Sequence, residues 1–168
     1  MIQLRPTVAE DLPDLLGWVN SLAEMVVWSG PTFSWPLNLE QLNAYLAESP
    51  AASRLVWTAH DNVSAAPIGH ASLALQDNGN TGRLARVLVA PNARHLGHGR
   101  AVTQAAVTAG FNETSIEAIT LGVYRHNTIA RDLYEQLGFT TTATVENSIT
   151  INGKPWGNLE MRLPRHRN

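Results

Sequence analysis

The chain has 168 residues, of which 15% are charged, a formal net charge of −2 and no cysteine. This length fits a single domain over residues 1–168, and the missing cysteines exclude disulfides, thiolate metal sites and thiol nucleophiles. The scattered Lys and Arg residues argue against nucleic-acid binding, and no apolar run reaches the roughly 18 residues of a membrane span, so the sequence predicts a soluble, cytoplasmic protein.

Two helices are predicted in the N-terminal third, each from a capping pattern. Thr7 and Glu10 form a capping box before apolar residues at helical spacing, which predicts a helix from about Val8 to Leu22. The stretch NLEQ repeats this pattern at Asn38 and predicts a short second helix to about Glu48. Between them, VVWSGPTFSWPL is broken by glycine and proline and is predicted to be an aromatic loop.

From Arg54 onward the hydrophobic period changes to that of strands. The runs RLVWTAH, IGHASLAL and GRLARVLVA are separated by turn formers and predict an antiparallel meander. A helix, the strand AITLGVY, the helix TIARDLYEQL and two long strands joined at Asn152 and Gly153 follow. With a strand at the N-terminus, the order β-α-α-β-β-β-α-β-α-β-β predicts an α/β (α+β) fold with a central mixed, mostly antiparallel sheet flanked by helices.

The segment RHLGHGR, from Arg94 to Arg100, lies between a predicted strand and a predicted helix. Its glycines allow close backbone approach, and the first amides of a helix favour anions, so the segment predicts a diphosphate site. Val102 stands where the dinucleotide fingerprint needs its third glycine, and the only lysine, Lys154, excludes a Walker loop. A turn that only permits a sharp corner is the alternative.

A second cluster, YRHNTIARDLYEQLGF, follows about thirty residues later. Asn127, Ala130 and Tyr134 fall at i, i+3 and i+7, which places an amide and a phenol on one stripe of a helix. The alternative is an Asn cap followed by a tyrosine of the core.

Together, the two clusters resemble the GNAT superfamily of N-acetyltransferases, with a match from about Val87 to Phe139. The resemblance implies a GNAT-like acyl-CoA N-acyltransferase fold and an enzyme that uses acetyl-CoA as co-substrate and no metal. It also implies that Tyr134 protonates the leaving thiolate. The implied cofactor-binding residues are Val87, Leu88 and Val89 through their backbone, Arg94, His95, Leu96, Gly97, His98, Gly99 and Arg100 around the diphosphate, and Asn127 with Ala130 along the arm.

The resemblance leaves the acceptor side open. Aromatic rings in the loop, namely Trp28, Phe33 and Trp35, can border an acceptor site or plug the end of the core. The implied acceptor is a primary amine of a small molecule or a peptide N-terminus, and the alternative is a non-catalytic acyl-CoA-binding regulatory module. Either a monomer or a homodimer is compatible with the sequence.

One position departs from the pattern of some relatives. Ribosomal-protein alanine acetyltransferases of this superfamily carry a glutamate on the strand before the Asn, where this chain has Gly122. The amine must then lose its proton through water or through a carboxylate elsewhere, for which Glu24, Glu146 and Glu160 are the candidates.

Overall fold

A computed structural model describes residues 2–166 of the protein. Its strands form one sheet in the order β1-β2-β3-β4-β5-β7-β6, with all neighbours antiparallel except the parallel pair β4 and β5. The predicted mixed, mostly antiparallel sheet is therefore confirmed. The strands are β1 (Ile2–Pro6), β2 (Arg54–Asp61), β3 (Pro67–Gln76), β4 (Thr81–Val89), β5 (Ala118–Tyr124), β6 (Thr140–Ile151) and β7 (Lys154–Pro164).

The helices pack against this sheet in two groups. They are α1 (Leu12–Gly17), α2 (Leu22–Ser29), α3 (Leu39–Glu48), α4 (His98–Glu113) and α5 (Thr128–Gln136). Helix α4 buries Val102 and Ala106 in the main core with sheet residues such as Leu73, whereas α1, α2 and α3 share a second apolar cluster with Ile151 of β6. Within residues 2–166, no helix combines the length and the apolar character needed to span a bilayer.

The predicted helix from about Val8 to Leu22 begins close to its predicted start, but as a 3-10 turn over Ala9–Asp11 that leads into α1. Thr7 does not cap it, because the Thr7 hydroxyl lies 2.9 Å from the Thr58 hydroxyl. Instead, Asp11 Oδ2 accepts a hydrogen bond from the Val8 amide at 3.0 Å, and α1 begins only at Leu12.

The same predicted helix is also divided, because a second cap interrupts it. Ser21 Oγ accepts a hydrogen bond from the Glu24 amide at 3.1 Å and starts α2. This helix runs through the first part of the predicted aromatic loop and ends only at Gly30, where φ is 57°. Trp28 is therefore a buried helix residue, while the rest of the segment up to the Asn38 cap of α3 is a loop.

The parallel strands β4 and β5 pair over a short distance and then separate. Their register covers only the three pairs from Thr81↔Ala118 to Arg83↔Thr120. A bulge against β3 follows, with φ of 54° at Arg86, whose carbonyl accepts a hydrogen bond from Trp28 Nε1 at 2.9 Å. From Leu84 onward, one edge of β4 thus has no strand partner, and a cleft opens beside it.

Candidate active site

The cleft between β4 and β5 has a volume of about 520 Å³. One side of α2, the start of α4 and one side of α5 complete its walls. The fold thus brings together residues from Trp18 to Trp156, which are distant in the sequence. Of the predicted site residues, those that line the cleft are Trp28, Val87, Leu88, Val89, Arg94, Gly99, Asn127, Ala130 and Tyr134.

The glycine loop reaches this cleft with two of its residues, Arg94 and Gly99. His95, Leu96, Gly97, His98 and Arg100 are outside the lining. None of the backbone amides of residues 95–100 donates a hydrogen bond to another residue of the described chain. Gly97, with φ of 81°, turns the chain into α4, and no side chain caps that helix. A row of free N–H groups at a helix start is an anion site, so these residues fit the diphosphate of an acyl-CoA.

The two arginines of the loop have partners within the protein. Arg94 Nε donates to the Val89 carbonyl at 3.2 Å, and its Nη1 lies 3.9 Å from a carboxylate oxygen of Glu24. Arg100 Nη1 donates to Gln136 Oε1 at 3.0 Å. Arg94 therefore connects the loop to β4 and α2. The groups of the loop that remain available to an anion are mainly its backbone amides.

Helix α5 presents Asn127, Ala130 and Tyr134 to the cleft. Asn127 caps the helix, because its Oδ1 accepts from the Ala130 amide at 3.3 Å, so the capping alternative holds and is compatible with a place in the cleft. The half-buried Tyr134 packs edge-on against Phe139, and its hydroxyl has no hydrogen-bond partner in residues 2–166. Burial raises the pKa of Tyr134 to about 12, so the phenol is protonated at neutral pH.

A second cavity of about 550 Å³ adjoins the first. The two cavities share a wall that consists of Val27, Trp28, the β4 segment 84–86 and the β5 segment 122–124. They therefore meet where the two strands separate. The polar and charged residues that line only the second cavity are Ser29, Arg54, Gln76, Arg83, Ser148 and Asn158.

Gly122 has no side chain of its own, but the carboxylate of a residue on the neighbouring strand lies beside it. Glu160 of β7 is its register partner, and a Cβ at Gly122 would lie 3.2 Å from Glu160 Oε1 and 2.7 Å from Arg83 Nη2. Glu160 forms an ion pair with Arg83, and its Oε1 accepts a hydrogen bond from Asn158 Nδ2 at 2.8 Å. A neighbouring strand thus supplies a carboxylate at the position where a glutamate was expected.

The other two glutamates named as candidates lie elsewhere. Glu24 lines the first cavity and faces Arg94 at the loop. Glu146 is exposed, forms an ion pair with Arg125 at 2.7 Å and lines neither cavity. Like Glu146, Glu160 lines neither cavity, but its partners Arg83 and Asn158 line the second one. Of the three candidates, it alone lies beside Gly122.

The three aromatic residues are separated in space. Trp28 lies in the shared wall and stacks on Phe33 at 5.4 Å between ring centroids. Phe33 lines neither cavity and contacts the Tyr45 ring edge-on at 5.6 Å. Trp35 is exposed and also lies outside both cavities. The geometry places only Trp28 at the site, with Phe33 packed behind it.

The sequence patterns did not indicate a group of residues around Tyr45. The guanidinium groups of Arg86 and Arg54 lie 5.0 and 4.9 Å from the Tyr45 ring centroid. The Tyr45 hydroxyl is 3.4 Å from Nε2 of the buried His70. Burial and the charge of Arg86 lower the pKa of His70 to about 3. The available signal was an arginine inside the apolar run LARVLVA.

A splayed pair of parallel strands, an open strand edge and an uncapped helix start define a protein of the acyl-CoA-binding class. The model of the Acetyltransferase (GNAT) family matches residues 22–139, which is well over half of the chain. The chain therefore belongs to the GNAT acetyltransferase family. It is an N-acetyltransferase with acetyl-CoA as its acetyl donor, which confirms the predicted family, enzyme class and co-substrate.

Two solved structures show how general this fold is. The chain is similar to the spermidine N-acetyltransferase from Vibrio cholerae in complex with CoA and spermine, with a TM-score of 0.85 and 20% identity over 97% of this chain and 95% of that chain. It is also similar to a putative phosphinothricin N-acetyltransferase, with a TM-score of 0.81 and 17% identity over 99% of this chain and 100% of that chain. Such identities show a shared fold. Among residues 2–166, no group of His, Asp and Glu side chains is arranged to hold a metal ion.

Proposed function

We propose that the protein transfers an acetyl group from acetyl-CoA to a primary amine of a small molecule or a peptide N-terminus. The observation that carries this proposal is the wall shared by the two cavities. A donor in the first cavity and an acceptor in the second would meet where β4 and β5 separate. The names of the two structural neighbours, one for spermidine and one for phosphinothricin, support an amine acceptor.

The donor would be held mainly by backbone groups. The free amides of residues 95–100 would bind the diphosphate, and the open edge of β4 at Val87, Leu88 and Val89 would hydrogen-bond the amides of the pantetheine arm. Asn127 and Ala130 would line the arm on the other side. Acetyl-CoA supplies the reactive thioester once it is bound there.

Transfer requires two proton movements. The amine nitrogen forms a bond to the acetyl carbon, the carbon–sulfur bond breaks, the amine loses a proton and the thiolate gains one. Tyr134 would donate the proton to sulfur, since it lines the cleft, its half-buried phenol has a raised pKa, and its hydroxyl has no partner within residues 2–166. Glu160 would accept the amine proton, directly or through a water, because its carboxylate contacts the space beside Gly122.

The experiment is a panel of amines incubated with acetyl-CoA, with thiol release as the readout and calorimetric titration of CoA in parallel. The proposal expects CoA binding and thiol release with at least one amine. CoA binding without thiol release from any amine would contradict it and would favour the regulatory module.

The role of Glu160 is tested by the pH dependence of kcat/KM in wild type and Glu160→Gln, with Glu146→Gln as the matched control on an exposed carboxylate. A plateau of kcat/KM at high pH that disappears only in Glu160→Gln identifies Glu160 as the base. A rise up to about pH 9 that is the same in all three proteins points to deprotonation in solvent, because an unassisted ammonium has a pKa near 10.4. The single domain, the cytoplasmic location and the oligomeric state stay predictions.

A further inference from the structure

The second cavity carries positive charge that the protein does not balance. Arg54, Arg83 and Arg86 contribute to its lining, and no aspartate or glutamate does so among the described residues. Arg83 is neutralised by its ion pair with Glu160. Neither Arg54 nor Arg86 forms an ion pair within residues 2–166.

Both unbalanced guanidinium groups are held in place by neutral partners. Arg86 Nη1 donates to Ser72 Oγ at 3.2 Å and Nη2 to Thr32 Oγ1 at 3.0 Å. Arg54 Nη1 donates to Ser49 Oγ at 3.2 Å. In each arginine the Nε atom is buried and has no hydrogen-bond partner. Burial, together with the nearby charge of Arg54, lowers the pKa of Arg86.

The two groups lie beside the same aromatic ring. Both lie over the Tyr45 ring, so their central carbons are at most about 10 Å apart. Two like charges in a half-buried cavity repel each other and are poorly solvated, and a bound anion relieves both costs. Guanidinium forks match the oxygens of a carboxylate in geometry as well as in charge.

We propose that the acceptor is an amino acid or a close analogue, whose carboxylate is bound by Arg86 and Arg54 in the second cavity. This inference rests on the proposed N-acetyltransferase function and specifies its substrate class. The amine end of the molecule would face Glu160 beside Gly122, where the cavity wall is shared with the donor cleft. The reacting nitrogen would thus lie near the ion pair of Glu160 with Arg83, and the carboxylate would lie near the unpaired Arg54 and Arg86.

This distribution of charge disfavours polyamines. A polyamine has a second ammonium group where an amino acid has its carboxylate, and that group would meet Arg54 and Arg86 instead of an acid. The chain shares its fold with a spermidine N-acetyltransferase, but the arginines of its second cavity favour a different acceptor.

The test compares matched acceptors in the wild-type enzyme. Several L-amino acids, each paired with its carboxamide, and spermidine are incubated with acetyl-CoA, and kcat/KM is measured from thiol release at fixed pH. We expect at least one free acid to exceed its carboxamide by at least about tenfold, since a charge-assisted hydrogen-bonded contact contributes on that order. The amine of the carboxamide has the lower pKa of the two, so a larger fraction of it is neutral at a fixed pH below both pKa values. This difference favours the carboxamide and therefore cannot produce the expected preference for the acid.

Variants then locate the contact. Arg86→Gln and Arg54→Gln should each lower kcat/KM for the acid by at least about tenfold, mainly through KM, and should lower it clearly more for the acid than for the carboxamide. Arg162→Gln, which removes an exposed arginine outside both cavities, should change none of these values.

Two results would overturn the inference while the proposed function stands. One is equal or faster acetylation of carboxamides or spermidine, and the other is an equal loss for acid and carboxamide in both arginine variants. Absence of thiol release with every amine, despite CoA binding, would instead refute the proposed function and the inference with it. If a variant does not fold, the comparison of acid and carboxamide in the wild type still decides whether the enzyme recognises the carboxylate of the acceptor.

Discussion

Gly122→Ala is a small change at the centre of the proposed site. The backbone of Gly122 has no positive φ, so alanine is compatible with it. The new Cβ would lie 2.7 Å from Arg83 Nη2 and 3.2 Å from Glu160 Oε1. Cβ atoms essentially never approach another heavy atom to within 3.0 Å, so the Arg83 guanidinium must move and its ion pair with Glu160 must rearrange.

The structure separates the expected effects on stability and on activity. The side chains of Arg83 and Glu160 are each 30% exposed, and a pair of this kind contributes about 1 kcal/mol or less to the free energy of unfolding. The lower backbone entropy of unfolded alanine offsets part of that loss, so Tm should change by no more than about 4 °C. Displacement of catalytic groups by about 1 Å can cost on the order of a hundredfold in rate, so kcat/KM should fall by at least about tenfold.

The assay is thiol release with one good acceptor, together with a thermal melt and a CoA titration. Gly17→Ala is the matched control, because Gly17 lies at the end of α1 and has no heavy atom within 4 Å of the added Cβ. It should keep full activity. Wild-type kcat/KM in Gly122→Ala would refute the placement of the acceptor beside Gly122, and a matching loss of CoA affinity would place the effect on the donor side.

Three further predictions concern the donor site and the core. Tyr134→Phe should lower kcat by at least about tenfold with unchanged CoA affinity, and full turnover with chemistry shown to be rate-limiting would contradict its role as the acid. Gly97→Val should weaken CoA binding in calorimetry by at least about tenfold, because a β-branched residue is strained at φ of 81°. Gly99→Ala should bind CoA normally, since its Cβ would make an ordinary contact 3.6 Å from Leu133. Burial lowers the pKa of His70 from 6.5 to about 3. As the pH drops, the unfolded chain therefore binds a proton at this histidine before the folded protein does, and the free energy of unfolding should fall between pH 6.5 and about pH 3. Chemical denaturation across this range should show a shallower slope in His70→Asn, and an unchanged slope would contradict the assignment.

Much of the fold could be predicted because its signals are local. The strand runs of the meander follow from period-two patterning, and the final hairpin follows from the Asn152–Gly153 turn, where φ is 50° and 73°. The first helix was wrong because two capping patterns compete along one apolar stretch. The Ser21–Glu24 cap prevails, and Thr7 instead bonds to Thr58, a partner that is distant in sequence.

The candidate site also combines local sequence patterns with contacts between residues that are distant in sequence. The glycine loop and the stripe at Asn127 are local patterns, and two loop residues, Arg94 and Gly99, line one cleft together with the stripe. The carboxylate of Glu160 reaches Gly122 only through the pairing of β5 with β7, which depends on the register of the whole sheet. The arginines beside Tyr45 come from two different strands for the same reason. Sequence patterns therefore locate the donor side, and tertiary structure is needed for the acceptor side.

The wall shared by the two cavities also bears on how such enzymes diversify. Residues that line only the second cavity, such as Arg54, Gln76 and Ser148, come from strands that do not line the donor cleft. In the arrangement proposed above, substitutions there would leave the residues of the donor cleft unchanged, whether they arise in evolution or by engineering. The scaffold can therefore exchange one acceptor for another while half of its active site stays unchanged.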